Sequence, residues 1–227
     1  MMAHRSRAFV LPAAAGILAV LAGCSQPAKQ VAQLPPAPTA VAHQPPPVAP
    51  SLTPAAMRAA AAATAINPYV GGAAMLGNRT IAENCASAPN LRMLTRAISL
   101  STARQTLSAA SPVTVFAPTD SAFGRLNRGA VNQLLAPANR PALDRVMSYH
   151  MVPGTITLAD LRGRIAAAGG SVQLPTVAGV PLTATSDGQA IALIDANGSK
   201  SYVETPDVQQ VNGIVHVVNG VLVPRMG

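Results

Sequence analysis

Asp144, Ser148 and His150 are the residue types of a hydrolytic triad, and they lie close together in the chain. Their spacing argues against that chemistry. Leu143, Val146, Met147 and His150 mark one face of a helix, and positions two apart on a helix diverge, so Ser148 does not face His150. No nucleophile elbow, H-E-x-x-H, C-x-x-C, P-loop or G-x-G-x-x-G pattern accompanies them. Of the four histidines, only His150 and His216 fall in the part able to fold. Two imidazoles do not make a closed metal site, which takes about four ligands. The chain is therefore read as non-enzymatic, with no catalytic residues, no metal and no cofactor. Both histidines are expected to be buried and hydrogen-bonded, His150 near Thr119 or Asp120.

The thiols carry a different chemistry. Arg5 and Arg7 precede an uncharged run from Ala8 to Leu21, which leads into Leu21-Ala-Gly-Cys24. This is the layout of an export signal, and its apolar run falls short of the roughly 20 residues of a membrane-spanning helix. The small residues before Cys24 resemble a bacterial lipobox. Cleavage after residue 23 would leave Cys24 to be acylated, and more than one acyl chain gives durable membrane attachment. Ser25 rather than Asp follows, which favours the outer over the inner membrane. Cys85 then has no disulfide partner and is expected as a small buried hydrophobe on a first helix with Ile81.

From 24 to 66 the composition turns to Pro, Ala, Gln and Val, with nine prolines between Pro27 and Pro54. Such a segment cannot build a core and reads as a disordered, partly polyproline tether. The formal charge is +8 and the aromatic content 3%. With arginines scattered along the chain and no stacking platform, nucleic-acid binding is excluded, while attraction to anionic envelope surfaces fits. The sequons at Asn78 and Asn197 are read as chance patterns.

The elements that follow are those of one α+β domain. Val113, Val115 and Phe116 suit a buried strand, Pro118 ends it, and Thr119 or Asp120 opens a helix carrying Phe123 and Leu126. Leu91, Leu94 and Ile98, continuing to Leu107, predict one long helix, and Val131, Leu134 and Leu135 a short one. The helix through His150 is expected to stop at Pro153 and Gly154. After Gly169-Gly170 the pattern predicts strands over Ser171–Leu174, Val180–Thr185, Ala190–Ile194 and Tyr202–Glu204, with tight turns at Asp187-Gly188 and Asn197-Gly198. Asn212 to Pro224 is almost continuously apolar, as a strand covered on both faces should be.

Three ordered blocks, Thr114 to Phe123, Tyr149-His150 and Asn212 to Pro224, resemble the signatures of the fasciclin domain. The resemblance implies that residues 67–227 form a fasciclin fold, with helices of the first half packed on a mostly antiparallel twisted sheet from the second. It also implies a bulged or bent final strand through Asn219-Gly220 to Pro224. Animal fasciclin domains carry a Pro-Asp-Ile motif linked to receptor binding, matched by position at Pro206 and Asp207. With Tyr149 and His150 these are the candidate partner-binding residues. The local alternative is that Pro206 ends the Tyr202 strand and Asp207 caps a turn. The expected protein is a monomeric or weakly self-associating bacterial envelope lipoprotein, bound to the membrane through Cys24, with an adhesive fasciclin domain and a protein, matrix or cell-surface partner. The alternative is a module that binds a small apolar ligand.

Overall fold

This computed structural model describes residue 57, residues 67–109 and residues 111–225. The signal segment 1–23, Cys24 and nearly all of the tether 24–66 lie outside the described residues.

A two-residue hairpin, β1 (Tyr69–Val70) and β2 (Ala73–Ala74), leads into α1 (Ile81–Ser87). Thr80 opens α1 with a capping box: its hydroxyl accepts from the Glu83 amide, and the Glu83 carboxylate accepts from the Thr80 amide. The expected long helix is two helices, α2 (Arg92–Leu100) and α3 (Ala103–Ser108). The break is at Ser101-Thr102, where the Thr102 amide donates to Asp144 Oδ1 at 2.7 Å instead of continuing the helix.

The strand β3 (Val113–Pro118) is buried at every position and ends at Pro118. Thr119 then caps α4 (Asp120–Gly124), its hydroxyl accepting from the Ala122 amide. Next come α5 (Arg128–Leu134), a 3-10 turn at Pro137–Asn139, and α6 (Arg140–Tyr149). The helix through His150 does not run to Pro153. It ends at Tyr149, and β4 (Met151–Pro153) pairs antiparallel with β3. A further helix, absent from the expected elements, is α7 (Leu158–Ala167), with its own capping box from Thr157 and Asp160.

The remaining strands are β5 (Ser171–Leu174), β6 (Leu182–Asp187), β7 (Ala190–Ile194), β8 (Lys200–Gln210) and β9 (Gly213–Val218). They join β3 and β4 in a seven-stranded sheet of order β4-β3-β9-β8-β7-β6-β5, in which only β3 and β9 run parallel. That parallel pair is covered on both faces, as its continuous apolar runs require. On one side lies a cluster including Leu94, Ile98, Leu107, Leu143 and Val146 from the helices, and on the other a cluster including Tyr149, Ile156, Leu161 and Ile165.

Two strand expectations are corrected. β8 does not end at Pro206 but runs to Gln210, because register shifts against β9 between Val203 and Val208 absorb the proline. The last strand ends at Val218 and does not continue to Pro224. The Asn219 amide donates to Tyr202 O, its side chain accepts from the Tyr202 amide, and buried Val221 and Leu222 follow as irregular chain.

Candidate interaction site

His150 sits at the junction of α6 and β4 with 1% exposure. Its Nδ1 meets Val146 O at 2.8 Å and its Nε2 accepts the Leu222 amide at 3.0 Å. A carbonyl can only accept, so Nδ1 carries the hydrogen and the ring is neutral. Burial pushes its pKa down to about 4, against smaller upward effects of the Val146 carbonyl and the Asp195 charge. Its partners are therefore Val146 and Leu222, not Thr119 or Asp120: the ring fastens the segment after β9 to α6.

His216 is fully buried in β9 and neutral in the opposite tautomer. Its Nε2 donates to Ile156 O at 2.8 Å, which leaves Nδ1 to accept the Asp207 amide at 3.2 Å. Burial lowers its pKa too. The ring stacks on Phe116 with centroids 5.6 Å apart, and Phe116 N donates to His150 O at 2.9 Å. Thus one continuous path links the two candidate pairs: His150, Phe116, His216, Asp207.

Asp207 occupies the bulge of β8 at φ 56, the left-handed region that Asp and Asn tolerate better than most residues. Its Oδ1 accepts the Leu158 amide at 2.8 Å, satisfying a free donor in the first turn of α7. It is thus a helix cap supplied from a strand rather than the cap of a turn. Pro206 and Asp207 are half-buried, whereas Tyr149 has no exposed surface and its hydroxyl donates to Pro181 O at 3.1 Å. Of the four candidate contact residues, then, only Pro206 and Asp207 reach the surface in this fold; Tyr149 and His150 shape the frame beneath it.

Two anchors were missed in the sequence. Asp195, 6% exposed, accepts from the amides of Asn197, Ser199 and Val223, tying the turn after β7 to the C-terminal segment. Asn212, 3% exposed, accepts from Ile81 N at 2.9 Å and donates to Leu107 O at 2.6 Å, locking α1 and α3 to the start of β9. Asp195 in front of Asn197-Gly198 was a readable turn signal; nothing local marks Asn212, whose partners are distant in the chain. Cys85 is buried on α1 with Ile81, as expected, and burial pushes its thiol pKa up to about 12. Among the described residues, no group of three or more His, Cys, Asp or Glu is placed to hold a metal, and no helix is long and apolar enough to cross a membrane.

This sheet order, with helices on both faces and buried blocks at β3, α6 and β9, defines the class. The family profile of the Fasciclin domain matches residues 89–224, and the chain belongs to the fasciclin family. It is 35% identical over 148 residues to protein sll1483 of Synechocystis sp., covering 65% of this chain and 74% of that one. It is 30% identical over 132 residues to the transforming growth factor-beta-induced protein ig-h3 of Sus scrofa, covering 58% of this chain but 17% of that one. A solved FAS1 domain pair from the insect cell adhesion molecule Fasciclin I shares the fold with TM-score 0.58 at 22% identity, over 65% of this chain and 51% of its own.

Proposed function

We propose that this is an envelope lipoprotein, fastened to the membrane through acylated Cys24 and a Pro-rich tether, whose single fasciclin domain holds cells or matrix components by surface contact and not by chemistry. The observation that carries the reading is the family itself: the fasciclin domain occurs in adhesion proteins, and membership rests on residues 89–224. The site agrees in character. Its two histidines, His150 and His216, are closed in by backbone groups, so neither is free to act as a base, and the half-buried Pro206-Asp207 bulge, held by His216 and Leu158, is suited to recognition.

The anchor and the contact are tested separately. Metabolic labelling with a fatty-acid probe should mark the wild-type chain and not Cys24→Ser; an unlabelled wild type removes the anchor. The immobilised chain should retain cells or matrix proteins, and retention no greater than that of an unrelated basic protein removes the adhesive reading.

A further inference from the structure

Charge that looks scattered in the sequence is segregated in the fold. Between positions 79 and 145 the chain carries eight arginines and three acids; from 146 to 225 it carries four cations and five acids. The first stretch is the helical layer. Leu94, Ala97 and Ile98 of α2 face the core, so Arg92 and Arg96, one turn apart, point outward with Ser99. Arg104 on α3, Arg128 on α5 and Arg145 on α6 are exposed on neighbouring helices.

The acids of this layer do not neutralise them. Asp120 Oδ1 accepts the Met93 amide, Asp144 Oδ1 the Thr102 amide, and Glu83 the amide and hydroxyl of Thr80. Among the described residues no hydrogen bond joins a carboxylate to any of these guanidinium groups. A groove of about 370 Å³ opens on the same layer, floored by Met93, Phe123, Leu126 and Val131 and edged by Arg128, Asn132 and Asp120, one oxygen of which is held by the Met93 amide.

We infer that the outer face of the helical layer docks on an anionic phospholipid surface, with the arginines on headgroup phosphates and the groove receiving part of an acyl chain. Charge complementarity selects an anionic partner. The apolar floor selects lipid over a polysaccharide, which has nothing to place there. Phe123, the aromatic side chain packed in this layer, is buried, and Phe116 packs on the opposite face of the sheet, so neither ring can stack on nucleic-acid bases. The inference gives the apolar-ligand alternative a definite form and is independent of adhesion by Pro206 and Asp207.

The test uses the full chain with Cys24→Ser, so that buried Cys85 is the only native thiol, and a fluorescent probe placed at Ser99→Cys or, as a control, at exposed Ser186→Cys on β6. With vesicles containing phosphatidylglycerol, the Ser99 probe should become shielded from an aqueous quencher while the Ser186 probe does not. With pure phosphatidylcholine vesicles neither should change. Arg92→Ser, Arg96→Ser and Arg128→Ser combined should weaken the response on the order of 100-fold at low salt, with an unchanged circular dichroism spectrum. Equal shielding of both probes, or shielding by soluble heparin but not by anionic vesicles, overturns the inference; loss of cell retention alone leaves it standing.

Discussion

Asp207 Oδ1 accepts the Leu158 amide at 2.8 Å across 49 residues of sequence, so a bulge in β8 adds a second cap to α7 beside the Thr157–Asp160 capping box. The same residue's own amide is held by His216 Nδ1. One position therefore joins the central strand, the bulge and the helix on the second face of the sheet. Asp207→Ala should lower stability by about 1–2 kcal/mol, the usual cost of a lost cap. Asp207→Gly should cost less, because glycine occupies φ 56 without strain. Urea midpoints of the two variants check the order; an Ala variant as stable as wild type would remove the cap from the account.

His150 makes stability pH-dependent. Its folded pKa of about 4 lies below the ordinary 6.5, so between those values the unfolded chain binds a proton that the folded chain does not. Stability is complete above pH 6.5 and falls as the pH drops toward 4, by up to about 3 kcal/mol. Protonation would also put a hydrogen on Nε2, against the Leu222 amide. His216 acts in the same direction. Denaturant titrations at pH 7 and pH 4.5 should show the loss, and His150→Gln should show a smaller one.

Gly213 lies at φ 151, and a Cβ there would collide with the Val113 carbonyl at the parallel β3–β9 pairing. Gly213→Ala should therefore destabilise the domain by several kcal/mol or leave it unfolded, well beyond a typical point mutation. Gly163→Ala on the exposed face of α7, where nothing lies within 4 Å, should be neutral or stabilising. Thermal melts of the pair distinguish a steric requirement from a general intolerance of change.

Cys85 should resist alkylation in the native protein and react rapidly once urea exposes it, since burial both blocks access and holds the thiol protonated. Native labelling at the rate of a free thiol would mean that α1 opens readily.

Much of the architecture was legible because it is written in short-range chemistry. Pro118 and Thr119 mark the end of β3 and the start of α4. Asp187-Gly188 makes the β6–β7 turn, with Gly188 at φ 60. The capping box Thr157-Leu-Ala-Asp160 was equally readable and would have revealed α7. The other departures depended on distant partners. Asp144 breaks the expected long helix from 42 residues away, and a bulge held by His216 carries β8 through Pro206. Of the candidate contact residues, the sequence located the frame. His150 was expected to be buried and is; what the sequence did not tell was that Tyr149 is buried with it while Pro206 and Asp207 stay half-exposed, nor that the arginines lie on the exposed faces of one layer, since both depend on which side of each element faces the core.

The adhesive claim meets its most direct test in a flow chamber, where cells carrying the wild-type protein, lacking it, or carrying Cys24→Ser settle on a matrix-coated surface and are sheared. Wild-type cells should withstand the highest shear, and the other two should detach together. Equal detachment of all three would contradict that claim.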